Sequence, residues 1–384
     1  MKFFKKKLKD LSLIKTGKLD SNAAVKDGKY PFFTCDPQTL TINDWAYDTE
    51  AVLLAGNNAN GNYTAKYYKG RFNAYQRTYI IEAVDKKELN IRFLCYALNE
   101  QLLLLKSVSS GSTTKFLTLK ILNGLEIPCP DIKIQNKTAN ILSSYDDLIE
   151  NNQKQIKLLE EAAQRLYKEW FVDLRFPGYE STPIIDGVPE GWEKNQADTF
   201  FEITIGKTPP RTERDCFVKN GLGISWVSIA DMGQNDTFLF ITNEGLTKEA
   251  IEKYNVKILP EGTIFVSFKL TVGRVGITAK AMCTNEAIAH FHVNCEYKRA
   301  YTYCYLKNFK YDSLGNTSSI SKAVNSKIIK AMPFIMPNEE ILKKFSKYVN
   351  PILEQIKNKK LTCLNLTEAR DRLLPKLMNG ELEV

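Results

Sequence analysis

Residues 137–170, KTANILSSYDDLIENNQKQIKLLEEAAQRLYKEW, decide the fold of this chain. They contain neither glycine nor proline, and apolar side chains recur at the a and d positions of a heptad. This pattern predicts one long helix with a single apolar seam. The seam residues of this first helix are Leu142, Ile149, Ile156, Leu159 and Leu166.

A second copy of this helix lies further along the chain. The segment EAAQRL at residues 161–166 corresponds to EARDRL at residues 368–373, a shift of 207 residues. The same shift carries Pro130 onto Pro337 and Lys115 onto Lys322. The sequence therefore predicts a tandem duplication. The seam of the second helix is then Val349, Ile356, Leu366 and Leu373.

The second helix contains residues that interrupt the pattern. Pro351 predicts that this helix begins or kinks nearby, and Pro375 and Gly380 are expected to end it. Asn152 and Lys359 occupy equivalent d positions in the two copies. A polar residue in a seam either fixes the register of the helices or marks a place where the seam widens to water, and the sequence leaves both possibilities open.

The rest of each copy lacks the heptad pattern and consists of short strand-like runs separated by Gly, Asn and Pro turns. This pattern predicts mixed α/β domains and an α+β fold class. The expected boundaries are residues 1–135 for the first domain, 136–174 for the first helix, 175–192 for a connector, 193–336 for the second domain and 337–384 for the second helix and tail.

Composition restricts the class of protein. A chain of 384 residues with 43% hydrophobic and 25% charged residues is typical of a two-domain globular protein. The net charge of +9 favours polyanionic partners. No apolar run approaches the ~20 residues of a membrane helix. The eight cysteines form no Cys-x-x-Cys pair, so we expect reduced thiols, a cytoplasmic protein and no membrane partner.

Common catalytic motifs are absent from the sequence. The segment Gly206-Lys207-Thr208 lacks the glycine that a phosphate loop needs at position 201. No Gly-x-Gly-x-x-Gly turn is present to bind a nucleotide. His290 and His292 would point to the same face of a strand and make zinc conceivable, but a packed strand face explains them better. We therefore expect neither a catalytic residue nor a metal site.

Loops rich in amide, hydroxyl, basic and aromatic groups carry the candidate chemistry, because these groups read base edges and neutralise phosphates. In the first domain they are Asn57, Asn58, Asn60, Tyr63, Lys66, Arg71, Tyr75, Gln76 and Arg77. In the second domain they are Lys207, Thr208, Arg211, Lys269, Thr271, Arg274 and Asn285. Lys115 and Lys322, which end polar stretches in the two copies, are candidate phosphate contacts. The alternative is that each loop is a solvated polar turn.

Several short segments resemble the specificity subunits of type I restriction-modification systems. They are Trp170-Phe171-Val172-Asp173, Phe176-Pro177-Gly178, Pro189-Glu190-Gly191-Trp192, Gly206-Lys207-Thr208-Pro209 and residues 269–273. Their order, together with two domains that alternate with two long helices, covers almost the whole chain.

The resemblance implies that each domain is a target recognition domain for one half of a split DNA sequence. It also implies that the two helices pair antiparallel as a spacer and dock two methyltransferase subunits. Those subunits would bind S-adenosylmethionine, while possible restriction and translocase subunits would use ATP and Mg. This chain would then be non-catalytic and bind no cofactor.

Helix length fits this interpretation independently. A helix over residues 137–170 would span ~50 Å, comparable with about one to one and a half turns of B-DNA. Two other classes remain open: a coiled-coil adaptor that binds only protein, and a hydrolase or nuclease with an unrecognised site.

Overall fold

The computed structural model describes residues 3–58, 61–111, 114–219, 221–234, 236–314 and 324–384. The chain forms two compact units. The first unit comprises Met1–Glu150 and Asn365–Val384, and the second comprises Asn151–Leu364.

The first unit is built on one six-stranded mixed sheet. Its elements are β1 (Lys5–Lys7), α1 (Leu8–Leu11), β2 (Ser12–Thr16), β3 (Tyr30–Phe33), β4 (Leu40–Ile42), β5 (Tyr47–Ala55), β6 (Asn57–Asn58), β7 (Ala65–Ala74), β8 (Thr78–Ala83), α2 (Ile91–Glu100), α3 (Leu102–Val108), β9 (Lys115–Phe116), α4 (Leu119–Gly124) and β10 (Glu126–Pro128). The main sheet has the order β2-β8-β5-β7-β3-β4, and only the β3–β7 pair is parallel. Two short pairs, β1-β10 and β6-β9, accompany it.

Helix α2 covers one face of this sheet. Asn90 caps its start, because the Asn90 Oδ1 atom accepts a hydrogen bond of 2.9 Å from the Phe93 N–H. Phe93 and Leu94 are fully buried and share a core with Val52 and Ile81 of the sheet. The unbroken apolar run in β5 fits its central place in the sheet.

The first long helix, α5 (Ile132–Tyr167), begins in the first unit and ends in the second. It continues into a single π-helical turn, Lys168–Val172.

The second unit contains two mixed sheets. Its elements are β11 (Ile184–Ile185), β12 (Val188–Pro189), β13 (Glu193–Gln196), α6 (Ala197–Phe200), β14 (Glu202–Ile205), β15 (Phe217–Lys219), β16 (Ile224–Val227), β17 (Phe238–Leu239), β18 (Glu244–Leu246), α7 (Lys248–Tyr254), β19 (Ile264–Ser267), β20 (Val275–Thr278), β21 (Cys283–Thr284), β22 (Ile288–His292), α8 (Glu296–Asn308), α9 (Ser326–Lys330), β23 (Pro333–Met336) and α10 (Glu339–Met378), which ends in the first unit. The sheets have the orders β14-β22-β19-β20-β17 and β15-β18-β16-β21, and β13-β23 and β11-β12 form separate pairs. Short 3₁₀ turns elsewhere in the chain are Ser21–Ala23, Tyr179–Ser181, Arg214–Cys216, Asp231–Gln234 and Tyr311–Leu314.

The two long helices run antiparallel within each unit. In the first unit, Leu142 shares a core with Leu377, and Asp146, one turn later in α5, bonds to Arg370, which precedes Leu377. The second unit shows the same direction, because Trp170 near the end of α5 packs on Phe345 near the start of α10.

The predicted seam residues line these helices. Leu142, Ile149, Val349 and Ile356 are buried, and Ile156, Leu159, Leu166, Leu366 and Leu373 are half-buried. The polar seam residues Asn152 and Lys359 are also half-buried.

The expectation that the second helix begins at Pro351 or ends at Pro375 is wrong, whereas the expected end near Gly380 agrees with the last helical residue, Met378. Helix α10 continues through Pro351 and includes Pro375 in its last turn. Val349 and Leu353, on either side of Pro351, are both buried, and Leu377 is buried beyond Pro375. This packing outweighs the hydrogen bond that each proline removes from the helix.

The predicted duplication and the α+β fold class are confirmed. The two long helices start at Ile132 and Glu339, and the short helices α4 and α9 start at Leu119 and Ser326. Both pairs of starting residues are related by the same shift that relates the two copies in the sequence. No helix in the described part of the chain is long and apolar enough to cross a lipid bilayer.

Candidate nucleic-acid interface

A short strand pair gathers several candidate residues in the first unit. Strand β6 pairs with β9, which places Asn57 opposite Phe116 and Asn58 opposite Lys115. The Arg77 guanidinium lies 5.4 Å from the centre of the Phe116 ring. Four predicted residues, Asn57, Asn58, Arg77 and Lys115, therefore come together.

The turn that precedes Arg77 belongs to the same surface. Tyr75 forms a β-bridge with Leu19, and the exposed Gln76 amide donates a hydrogen bond of 2.7 Å to the Asp20 carboxylate. Asp20 thus fixes the direction of the Gln76 amide group.

Three other predicted residues of the first unit, Arg71, Tyr63 and Lys66, make contacts within the protein. Arg71 Nε donates to the Asp48 carboxylate at 3.1 Å, and the guanidinium stacks 4.7 Å from the centre of the Trp45 ring. Tyr63 is 4% exposed and belongs to the core, so its ring does not face solvent. Burial lowers the pKa of Lys66. Asn60 lies outside the described residues.

In the second unit, two chain segments approach each other closely. A Cβ atom on Gly206 would lie 2.0 Å from Thr284 Oγ1 and 2.1 Å from the Asn285 carbonyl oxygen, so only glycine fits this position. The N–H of Lys207 donates to the Thr284 carbonyl oxygen at 2.9 Å. The exposed Lys207, the half-buried Thr208 and Asn285 are thereby brought together.

Acidic side chains bind two of these candidates. The Thr208 hydroxyl donates to the Glu286 carboxylate. Arg211 Nη1 donates to both carboxylate oxygens of Glu244, at 3.1 and 2.8 Å, and its guanidinium lies 4.1 Å from the centre of the Phe217 ring. The Arg211 side chain is thus held by the protein before any ligand binds.

The loop between β19 and β20 carries the other candidates. Lys269 is half-buried and Thr271 is exposed. The Arg274 N–H donates to Ser267 Oγ at 3.0 Å, and Arg274 Nη1 donates to the Ile229 carbonyl oxygen at 2.8 Å. These bonds fix the base of the loop and use part of the Arg274 guanidinium. Lys322 lies outside the described residues.

The two histidines bond to threonines. His290 is 1% exposed, and its ring nitrogens lie 2.8 Å from Thr204 Oγ1 and 2.6 Å from Thr284 Oγ1. His292 Nε2 lies 2.9 Å from the same Thr204 hydroxyl. Burial lowers the pKa of His290 to about 3, so its ring is neutral at neutral pH. Within the described ranges, no group of three or more His, Cys, Asp or Glu side chains is arranged to hold a metal ion.

Sequence reasoning missed the residues that hold the arginines. Trp45 and Asp48 hold Arg71, and Trp226 and Glu244 hold Arg211. These partners lie well away from the arginines along the chain, so no local motif connects them. A prediction of strand pairing would have been needed to find Asp48, and a prediction of the tertiary fold to find the others.

Fold and loops together define a duplicated α+β protein in which each unit carries loops of amide, hydroxyl and basic side chains and contains parts of two long helices. The family described as type I restriction modification DNA specificity domain matches residues 2–161 and 189–363. These two matches cover most of the chain, one in each copy of the repeat. The chain therefore belongs to the specificity subunits of type I restriction-modification systems.

Individual relatives agree with this family. The type I restriction enzyme EcoDI specificity subunit of Escherichia coli is 26% identical over 98% of this chain and 87% of its own length. The MjaIX specificity subunit of Methanocaldococcus jannaschii is 30% identical over 73% of this chain and 66% of its own length. The crystal structure of an S subunit from M. genitalium has the same fold, with a TM-score of 0.65 at 18% identity over 98% of this chain and 96% of that chain.

Proposed function

We propose that this chain is the non-catalytic DNA-recognition subunit of a type I restriction-modification complex. Each unit reads one half of a split DNA target, and the paired long helices set the unread gap between the halves. The observation that carries this proposal is the family match in both copies of the duplication, each copy with its own polar loop surface.

The geometry supports different roles for the loop residues, as base contacts, phosphate contacts or supporting residues. Amide groups pair with adenine edges, and guanidinium and ammonium groups pair with guanine edges or phosphates. Arg71 and Arg211 are held by carboxylates and rings, which favours a supporting role for them. The proposed DNA contacts are Asn57, Asn58, Tyr75, Gln76, Arg77, Lys115, Lys207, Thr208, Lys269, Thr271, Arg274 and Asn285.

Two methyltransferase subunits are the proposed protein partners, and they would supply S-adenosylmethionine and the adenine-methylating site. A groove of about 1030 Å³ in the first unit supports such docking. Its lining includes the exposed Leu104 and Val108 and the buried Met378. Exposed apolar residues that line one groove are typical of binding sites for protein partners.

The wider complex follows from the same proposal. Restriction and translocase subunits would add ATP- and Mg-dependent cleavage, and the assembly would act in the cytoplasm, where the chromosome is accessible. This chain itself would bind no cofactor and carry no catalytic residue.

Methylation mapping tests the proposal directly. The full chain is expressed with its methyltransferase partner in a host, and methylated adenines are located across the genome. We expect one split word with a fixed gap. A single continuous word, or methylation that does not depend on this chain, would contradict the proposal.

A salt titration separates DNA binding from a purely structural adaptor. For a DNA-binding chain, log affinity falls linearly with log salt, and the slope reflects the number of phosphate contacts. We expect Lys115→Ala and Lys207→Ala each to reduce the slope by about 1. The exposed Lys87→Ala serves as the matched control and should leave the slope unchanged. A flat response of the unaltered chain would favour the adaptor.

A further inference from the structure

Two buried tyrosines connect the recognition domains to the long helices. Tyr96 on α2 and Tyr303 on α8 occupy equivalent positions of the repeat and are 8% and 3% exposed. In the first unit, the Tyr96 hydroxyl donates to the Asp146 carboxylate of α5. In the second unit, the Tyr303 hydroxyl lies 2.9 Å from Thr237 Oγ1, which donates to the Glu160 carboxylate of α5.

A basic residue of α10 completes the network in each unit. Arg370 Nη1 lies 2.6 Å from Asp146 Oδ1, and Lys360 Nζ lies 2.7 Å from Asp236 Oδ2. Because Asp236 precedes Thr237, two adjacent residues of one loop bond to both long helices in the second unit. The four side chains of these ion pairs are between 24% and 34% exposed.

The charge states suit this arrangement. Burial, helped by the bond to Asp146, raises the pKa of Tyr96, and burial raises the pKa of Tyr303, so both phenols keep the proton that they donate. Burial acts against the charge of Arg370, but hydrogen bonds to Asp146 and Asp371 outweigh it and raise the Arg370 pKa. Arg370 is thus a charged residue at an a position of the heptad, where an apolar residue is usual.

Only one alignment of the helices satisfies these groups. Sliding α10 by one helical turn moves Arg370 about 5.4 Å from its place beside Asp146. Arg370 would then keep only its bond to Asp371 and Asp146 only its bond to Tyr96, and the lost ion pair between two half-buried side chains would destabilise the shifted alignment. The apolar seam alone discriminates less, because leucine and isoleucine side chains recur along it.

We infer that the networks centred on Tyr96 and Tyr303 are positioning devices that fix the register of α5 against α10 and the place of each recognition domain on the helices. This inference rests on the function proposed above, and it makes Asp146 and Arg370 determinants of the gap length that the complex accepts. They act through geometry and touch no DNA.

A double variant tests the register function. Asp146→Leu with Arg370→Met replaces the ion pair by apolar side chains of similar shape, a change that costs less stability than removing one partner alone, and it also removes the acceptor of the Tyr96 hydroxyl. The full chain is expressed with its methyltransferase partner, and gap lengths are read by methylation mapping. The unaltered chain should methylate one gap length. The double variant should also methylate targets with the gap one or two base pairs longer or shorter, at roughly a tenth or more of the original level, because a slide of about 5.4 Å equals about 1.6 base pairs.

A neighbouring surface pair provides the matched control. Glu368 and Arg372 form an ion pair on the same helix, with side chains 60% and 78% exposed. Glu368→Leu with Arg372→Met should keep the single gap. The same broadening in both double variants would overturn the inference, because it would show a general effect of lost helix charge.

Two further outcomes are decisive. A folded Asp146→Leu, Arg370→Met chain that keeps a single gap would overturn the inference while leaving the proposed function intact. If this variant does not fold, Asp146→Asn with Arg370→Gln decides, because it removes both charges of the ion pair and keeps an acceptor for the Tyr96 hydroxyl: broadened gaps support the inference and an unchanged gap overturns it. An unaltered chain that methylates no split word would instead refute the proposed function.

Discussion

Shortening both long helices by one heptad should shorten the unread gap in the DNA target. Deleting residues 149–155 from α5 and residues 361–367 from α10 keeps the network residues Asp146, Arg370, Glu160 and Lys360. Seven residues at 1.5 Å each correspond to about 10 Å of helix. At ~3.4 Å per base pair, this length equals about three base pairs of DNA. We therefore expect the same two half-sites with a gap about three base pairs shorter.

The affinity should fall at the same time. Three base pairs of B-DNA also rotate one half-site by about 100° around the duplex axis, and the complex has to twist the DNA or itself to follow. Methylation mapping gives the new gap, and a gel-shift titration on the mapped targets gives the affinity. An unchanged gap in a folded double deletion would refute the spacer function of the helices. Deleting the heptad from α5 alone is the control, and it should abolish specific binding because the helices then pair out of register.

Three further substitutions test the described contacts. Gly206→Ala should lower the free energy of unfolding by about 2–4 kcal/mol, because the new Cβ atom would overlap Thr284. Gly124→Ala is the control and should not destabilise the chain, because no atom lies within 4 Å of the position of its Cβ. Urea titration measures the free energy of unfolding of both variants. The free energy of unfolding should fall as the pH is lowered, because the His290 ring of the unfolded chain takes up a proton below pH 6.5 and the ring of the folded chain only near pH 3. Between neutral pH and pH 5 the loss due to His290 should reach about 2 kcal/mol. His290→Gln should lack this loss, and urea unfolding at the two pH values measures it. Arg211→Met should lower the free energy of unfolding by less than about 1 kcal/mol, because the Arg211 side chain is half-exposed. It should leave the salt dependence of DNA binding unchanged, because Arg211 is already paired with Glu244. A reduced salt slope would instead make Arg211 a phosphate contact.

The sequence predicted the fold because the fold depends on periodic features. The heptad pattern and the shift between the copies are carried by apolar spacing, which survives substitution, and the helix starts at Ile132 and Glu339 preserve that shift. The start of the second helix was harder to predict, since local proline rules suggested Pro351. Buried neighbours on both sides of Pro351 decided the outcome, and burial is a property of the tertiary structure.

The candidate interface was predictable only as a set of loops. Sequence alone indicated that Asn57, Arg77 and Lys207 lie in polar turns. It did not indicate that Arg71 and Arg211 are held by Asp48 and Glu244, because Asp48 reaches Arg71 through strand pairing and Glu244 reaches Arg211 only through the tertiary fold. The sequence does contain one sign of the ion pair that we propose to fix the helix register, because Arg370 occupies a heptad position that is usually apolar. Only the structure identifies Asp146 as the partner of Arg370.

The equivalent tyrosines have a consequence for building chimeric subunits. The Tyr96 hydroxyl bonds directly to Asp146, whereas the Tyr303 hydroxyl bonds to Thr237, which in turn bonds to Glu160. The two copies therefore share the tyrosine but differ in the residue that accepts its hydrogen bond. A recognition segment moved from one position to the other would bring its tyrosine to a helix that lacks the matching carboxylate. Grafts between the halves, or between related proteins, should therefore transfer the acceptor together with the segment, and the cut points belong within the long helices rather than at their ends.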